Sequence, residues 1–268
     1  MSEVKNPFDA RSVAQRYGKG RYFFHPLVIE KIRKRLSLIE KVGRALDVGC
    51  GIGLSSRALL EIAEQVDAID ASRWMLEAAY EHPRIRYRQM PAEKLDFPDA
   101  SFDLITMSQV VHWTNVTQPF REAYRALKSN SFVVIYDDHM LWSAAAEAPF
   151  VKWYKASFEK RFPPPPRNRV PLNAHGEFTP EGFAFAGYEE YSHPESLTMN
   201  KLVEHLITQS TVVSAVDHAG EALTDAIQWL ESELRAFYDS AAELIFPFGG
   251  YVYYLLRTQK QVPVGVQN

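Results

Sequence analysis

Leu46-Asp47-Val48-Gly49-Cys50-Gly51-Ile52-Gly53 places glycine at every second position from 49 to 53. The short apolar run 44–49 leads into these glycines. In the segment that follows, 54–64, Leu54, Ala58, Leu59 and Ile62 recur at helical spacing. A strand, a glycine turn and a helix in that order bring the turn's backbone and the free N–H groups of the helix to one edge of a sheet. Gly49 and Gly51 let the chain turn tightly and let a ligand approach without a Cβ in the way. Ser55 or Ser56 is the expected cap of the helix. The spacing is G-x-G-x-G, whereas a dinucleotide fingerprint has G-x-G-x-x-G, and position 54 here is Leu. Residues 66–70 read as the next strand. It ends in Asp70, 21 residues after Gly49, where a carboxylate can accept hydrogen bonds from both hydroxyls of a ribose.

Outward from this turn, strand and helix alternate. A helix is expected over 26–41, before the first strand, with Leu27, Ile29, Ile32, Leu36 and Ile39 near helical spacing. Residues 72–81 read as a helix capped by Ser72, 84–89 and 102–107 as strands, 118–128 as a helix with Pro119 in its first turn, and 131–136 as a strand. Alternation from 44 to 136 is the pattern of βαβ units on a parallel sheet. The second half differs. Residues 142–162 are aromatic and helical in pattern, Pro163 to Pro166 form a rigid break, 183–192 alternate like a strand, 199–213 and 221–238 read as helices, and 250–257 read as a last strand before the tail 258–268. The expected architecture is α/β: a Rossmann-like, doubly wound, mostly parallel seven-stranded sheet with a helical cap over its ligand edge. No linker divides the chain, so one domain is expected over 1–268. Within it, 44–140 form the ligand-binding core, 141–248 the sheet completion and cap, and 249–258 the final strand.

The chain has 268 residues, 46% apolar and 24% charged, which excludes a disordered or fibrous polypeptide. Thirty Lys and Arg against 33 Asp and Glu give a net charge of −3, so no electrostatic footprint for nucleic acid or an anionic membrane is expected. The lone Cys50 excludes an internal disulfide and any multi-cysteine metal site. The N-terminus lacks an apolar core of the secretory kind, and no run of about 18 apolar residues occurs. A cytoplasmic protein is expected, with no nucleic-acid or membrane partner.

The segments DVGCGIG (47–53), AIDAS (68–72), PAEKLDFPDASFDLI (91–105) and SQVVHW (108–113) together resemble the class I S-adenosylmethionine-dependent methyltransferases. The resemblance is to the type 11 branch that includes the trans-aconitate methyltransferase-like proteins. It is dense over 10–140 and looser beyond, through SLTMNKLVEHLITQS (196–210) and FPFGGYVYYLLR (246–257). It implies S-adenosyl-L-methionine as cofactor, S-adenosyl-L-homocysteine as product and a small-molecule methyl acceptor, in a monomer or homodimer. Carried over residue by residue, it puts Asp47, Gly49, Gly51 and Gly53 around the methionine part and behind the ribose. Asp70 falls on the ribose hydroxyls, and Ala71, Met75, Ala92 and Glu93 around the adenine. Ser108 and Gln109 lie beside the methyl group. In Tyr17-Gly18-Lys19-Gly20-Arg21-Tyr22, Tyr17 closes over the cofactor and Arg21 lies near its carboxylate.

The acceptor side is less defined. His112 follows the fourth strand on the ligand edge, where it can line the acceptor pocket or move a proton, and Trp113 can wall the same pocket. Asp137-Asp138-His139 invite a metal reading, but neighbours on an extended chain point to opposite faces, so no metal is expected. One of the three can instead face the acceptor. Trp142, Phe150, Trp153, Tyr154 and Phe158 are read as core, with some of them lining the pocket, and Arg167 and Arg169 could meet an anionic acceptor. The expected reaction is O-methylation of a carboxylate or a hydroxyl, with carboxylate favoured by the resemblance; a hydroxyl calls for a base, for which His112 and His139 are available. Three alternatives remain: a nicotinamide-dependent oxidoreductase, a non-catalytic S-adenosylmethionine-binding protein, and a nucleic-acid methyltransferase. The last is disfavoured because Ser108-Gln109-Val110-Val111 stand where an Asn/Asp-Pro-Pro-aromatic tetrapeptide would be.

Overall fold

Central strands that read as near-continuous apolar runs belong to a sheet covered on both faces, and the computed structural model has that arrangement. It describes residues 7–141, 149–238 and 243–259. Helices α1 (Arg11–Gly20) and α2 (His25–Arg35) precede β1 (Val42–Val48), α3 (Leu54–Leu59), β2 (Ala63–Asp70), α4 (Arg73–Glu77) and β3 (Ile85–Gln89). β4 (Phe102–Ser108), α5 (Gln118–Ala126), β5 (Leu127–Tyr136) and the two-residue β6 (His139–Met140) follow. α6 (Pro149–Trp153) runs through a π-helical turn (Tyr154–Phe158) into α7 (Glu159–Arg161). Then come β7 (Phe183–Leu197), α8 (Met199–Leu206), α9 (Ser210–Asp217), α10 (Leu223–Leu234) and β8 (Leu244–Arg257).

The sheet order is β3-β2-β1-β4-β5-β8, with β7 on the far side of β8. The first five are mutually parallel, and β8 runs antiparallel to β5 and β7. The sheet thus has the seven expected positions. The eighth strand, β6, occupies the same edge of β8 as β5, pairing His139 with Gly249 and Met140 with Phe248. The chain leaves β1 for β2 on one side and returns to β4 on the other, so a crevice opens at the carboxyl ends of β1 and β4.

Two apolar layers hold the sheet. Val28, Ile29 and Ile32 of α2 and Leu59 of α3 pack on one face with Ala45 and Val66, while Phe120 and Ala123 of α5 pack on the other with Leu46, Ile69 and Ile105. A third cluster builds the cap: Phe158, Leu202, Leu206, Leu230 and Leu234 close on Phe246 and Phe248 of β8. No helix among the described residues is long and apolar enough to cross a membrane.

Several boundaries differ from the sequence reading, each for a physical reason. The helix expected over 54–64 ends at Leu59 because β2 begins at Ala63, drawn into register with Val42 of β1. The helix expected over 26–41 ends at Arg35, and Ser37 turns the chain with φ 50°. The segment 199–213 is two helices rather than one. Gln209 adopts extended backbone (ψ 143°) before α9, and Thr208 Oγ1 donates to His205 O at 2.7 Å. β7 and β8 are longer than expected because they pair over their whole lengths, Phe183–Leu197 against Leu244–Arg257.

Phe248 is 1% exposed and joins the cap to the sheet, its ring 5.1 Å from Tyr22 and 5.3 Å from His205. Phe248→Ala is expected to cost about 3–5 kcal/mol of stability. A urea-unfolding midpoint unchanged from the parent protein would disprove this.

Candidate active site

The glycine turn is fixed from two sides. Gly49 N and Cys50 N both donate to Ile69 O, at 2.8 and 3.0 Å, tying the turn to β2. Asp70 then orders the turn and its own neighbourhood: Oδ2 accepts from Gly51 N at 2.9 Å and Oδ1 from Ser72 N at 2.8 Å. Desolvation raises the Asp70 carboxyl above its ordinary value, against the pull of those two N–H groups. Beneath the turn, Asp47 is fully buried. It accepts hydroxyl hydrogen bonds from Ser55 (2.5 Å), Ser56 (2.6 Å) and Thr106 (3.0 Å), and burial raises its pKa too. Ser55 and Ser56 are therefore not helix caps. Gly53, at φ 81°, holds the N-cap position of α3 without a side-chain bond, and both serines turn inward to the carboxylate.

A cavity of about 1700 Å³ opens over this turn. Of the residues the resemblance placed around the cofactor, Tyr17, Arg21, Gly49, Gly51, Asp70, Ala71, Met75, Ala92, Glu93, Ser108 and Gln109 line it, and so does His112 from the acceptor side. Asp47 and Gly53 are off the wall. Asp47 lies behind the turn, and Gly53 faces Tyr87, whose hydroxyl a Cβ there would overlap. Glu93 Oε1 accepts from Asn115 N at 2.9 Å, which ties the loop after β3 to the loop after β4. Gln109 sits at φ 52°, and its Nε2 donates to Asp137 Oδ1 at 3.0 Å and to Asp138 O. Arg21 donates to Thr208 O at 2.9 Å and lies 4.6 Å from the Tyr17 ring, while its buried Nε has no hydrogen-bond partner.

The cap supplies residues that the sequence reading passed over. His205, Gln209, Ser210 and Thr211 reach the cavity through the break between α8 and α9. His205 is fully enclosed, and desolvation lowers its pKa to about 3, so the ring is neutral; Nδ1 lies 3.2 Å from Gly20 O. Of the aromatic set, Tyr154 lines the cavity and donates to Gln209 Oε1 at 2.8 Å, whereas Phe150, Trp153 and Phe158 pack in the cap. Trp142 lies outside the described residues. His112, Trp113 and Arg167 share the far wall, with the Arg167 guanidinium 5.5 Å from the Trp113 ring. Desolvation lowers the pKa of His112, helped by Arg167 and opposed by Asp137. Arg169 falls on a side chamber of about 610 Å³ that shares His112 and Asp137 with the main cavity. Among the described residues, no group of three or more His, Cys, Asp or Glu side chains is arranged to hold a metal ion.

These residues fit S-adenosylmethionine. Asp70 is held by two N–H groups with lone pairs to spare, Gly51 leaves open space where a Cβ would stand, and the unpartnered Arg21 Nε suits a carboxylate.

Comparison with known proteins agrees with the geometry. Residues 46–135 match the family described as "Methyltransferase domain". Over these residues the chain is similar to methyltransferase domains, and its fold is shared with solved methyltransferases. A Dictyostelium discoideum protein provisionally named a methyltransferase is 34% identical over 97 residues, 36% of this chain and 37% of its own. The malonyl-[acyl-carrier protein] O-methyltransferase of Legionella pneumophila is 35% identical over 118 residues, 38% and 41% of the two chains. The chain thus spans about two fifths of the length of these curated relatives. A candidate type II methyltransferase from Anaeromyxobacter dehalogenans shares the fold at TM-score 0.64 and 23% identity, over 84% of this chain and 94% of its own. The [4+2]-cyclase SpnF shares it at TM-score 0.53 and 18% identity, over 87% and 80%.

Gly53→Ala is expected to destabilise the protein by at least about 2 kcal/mol, from left-handed strain plus the clash with the Tyr87 hydroxyl. Tyr87→Phe in the same chain should recover part of that loss. Thermal denaturation of the single and double variants checks this; an additive double variant would be the contrary result.

Proposed function

We propose that this protein transfers a methyl group from S-adenosylmethionine to an oxygen, carboxylate or hydroxyl, of a small-molecule acceptor in the cytoplasm. One observation carries the reading. A single cavity joins the glycine turn and Asp70 to a second compartment, roofed by the cap and walled by His112, Arg167 and Tyr154. In this reading residues 44–140 hold the cofactor and 141–248 close over the acceptor. Asp70 accepts from the ribose hydroxyls, and the backbone at Gly49 and Gly51 follows the methionine part. Ala71, Met75, Ala92 and Glu93 frame the adenine. Tyr17 closes over it, and Arg21 meets the carboxylate. Ser108 and Gln109 flank the methyl, while Asp47 and Gly53 act from behind by fixing the turn. His112 is kept neutral by its surroundings and so can accept a hydrogen bond from the acceptor.

Bound S-adenosylmethionine supplies an electrophilic methyl group on a sulfonium. What the chain must do is align the acceptor oxygen in line with that methyl and exclude water. The O-methyltransferase named among the relatives supports oxygen as the acceptor atom. The fold alone does not fix the chemistry, since one structural neighbour is named a cyclase. Methylated product must therefore be detected directly.

Calorimetric titration with S-adenosylmethionine is the first test, with NADH as the control for the oxidoreductase alternative. The wild-type chain is expected to bind only the former. Asp70→Ala should weaken binding about a hundredfold or more, because hydrogen bonds to a charged group contribute about 1.5–3 kcal/mol each. Preference for NADH would overturn the proposal.

The raised pKa of Asp70 gives a second test with opposite signs for binding and folding. The folded state binds this proton more tightly than the unfolded state, so the stability that protonation contributes is complete below the ordinary value of 3.8 and lost as pH rises through the raised one. Cofactor affinity runs the other way, because the ribose needs the ionised form. Affinity should decline on acidification from a pH above the ordinary carboxylate range. An acid limb of the same shape in Asp70→Asn would show that another group titrates.

A further inference from the structure

One buried cluster at the cavity has no part in holding the cofactor in the reading above. Asp138 follows β5, and its side chain is 4% exposed. Its Oδ2 lies 2.9 Å from Nε2 of His193 on β7, whose side chain is 9% exposed. The other ring nitrogen, Nδ1, lies 3.0 Å from Glu195 Oε1, which is more open at 29%. Asp138 lines the main cavity. It also lines a narrow recess of about 60 Å³, shared with Gly49, Ser108, Gln109 and His205. The carboxylate therefore stands where the glycine turn meets the acceptor compartment, and Glu195 stands at the outer end.

We infer that Asp138 is the base that takes a proton from the acceptor, that His193 and Glu195 position and back it, and that the acceptor is a hydroxyl compound rather than a carboxylate. The inference rests on the methyl-transfer reading and narrows it.

Nε2 of His193 shares a hydrogen bond with Asp138 Oδ2, and Nδ1 stands within ion-pair distance of Glu195 Oε1, so a proton taken up by Asp138 can pass through the ring, which has one site on each nitrogen, toward Glu195. Two carboxyl groups on either side of one imidazole give such a proton a place to rest and a way out. Burial pushes the Asp138 carboxyl up, against the opposing pull of His193, which suits it to hold a proton in transit. A carboxylate acceptor is already ionised and has no use for such a group. Its reacting oxygen would also lie against Asp138 and Asp137, where like charges repel. A hydroxyl instead donates a hydrogen bond to Asp138. In the transfer its O–H bond breaks and the proton passes to the Asp138 carboxylate. The oxygen's electron pair forms the bond to the methyl carbon, and the electrons of the broken S–C bond remain on sulfur. The products are a methyl ether, a neutral thioether and a protonated trio, which returns its proton to water at Glu195. A purely structural trio pinning β7 to the end of β5 would need no opening to the cavity.

The test compares wild type, Asp138→Asn and Glu195→Gln. Calorimetry with S-adenosylmethionine comes first and is expected to give unchanged affinity in all three, which also reports folding. Methyl transfer is then followed with phenol, the more acidic para-nitrophenol in its ionised form, and benzoate. Asp138→Asn should lose about 10²–10⁴-fold with phenol and far less with para-nitrophenolate, which needs no base. Glu195→Gln should fall between it and the wild type. Independently of any acceptor, proton NMR of histidine-labelled protein should show a low-field ring resonance, from the proton shared with Asp138, that is absent from His193→Gln. Asp138→Asn should move it. Equal losses on both phenols, benzoate as the sole acceptor, or no phenol methylated by a wild type that binds S-adenosylmethionine would overturn the assignment. So would loss of S-adenosylmethionine binding in Asp138→Asn, or a ring resonance indifferent to that substitution. A wild type that does not bind S-adenosylmethionine defeats the methyl-transfer reading itself, and the resonance still judges the trio.

Discussion

The structure is organised around a buried carboxyl group with no ion-pair partner among the described residues. Asp47 is 0% exposed, and its oxygens accept hydrogen bonds from three hydroxyls, of Ser55 and Ser56 of α3 and Thr106 of β4. A buried carboxylate without partners is costly, so the position is tolerable only while all three hydroxyls converge on it. That requirement fixes the angle at which α3 leaves β1 and the spacing of β1 from β4. The glycine turn between β1 and α3 inherits its shape from those two constraints.

The second constraint comes from the far side of the sheet. β8 pairs with β5 and β6 on one edge and with β7 along its whole length on the other. Its first half carries Phe246 and Phe248 into the cap, and its second half completes the sheet core. The cap is thus attached to the sheet by one continuous strand. The cavity between them is walled by elements that share hydrogen bonds: Arg21 to Thr208, and His205 to Gly20, each linking the N-terminal segment to the cap.

The turn and its partners were legible in the sequence because their chemistry is local. Gly49, Gly51 and Asp70 are separated by one strand and one short helix, and their spacing reports directly on which backbone atoms meet. Ser108 and Gln109 were legible for the same reason, as the end of an apolar strand. Other features depend on contacts between distant segments. Ser55 and Ser56 look like caps until Asp47 and Thr106 are brought beneath them. The helical periodicity of 199–213 hides the extended backbone at Gln209, which brings His205 to the cavity. Asp138 looks like one of three acidic or imidazole residues in a turn; only the pairing of β7 with β8 puts His193 opposite it.

The charges around the cavity also constrain how a sulfonium could react there. Methyl transfer discharges the sulfonium, so a bare carboxylate close to sulfur stabilises the reactant more than the transition state and slows the step. In the proposed placement of the cofactor, Asp70 stands at the ribose end, at a distance from the methyl set by the cofactor's own length. In that placement Asp138 is the nearer carboxyl group, beside Ser108 and Gln109, and Nε2 of His193 shares a hydrogen bond with it at 2.9 Å. His205 and His112 are held neutral by desolvation, so neither adds a positive charge that would repel the cofactor. With His193 hydrogen-bonded to it, Asp138 can receive a proton and pass it on toward Glu195. On this argument the imidazole allows a base to stand next to the reacting centre, and the Glu195 end lets the proton leave by a route that does not pass the cofactor.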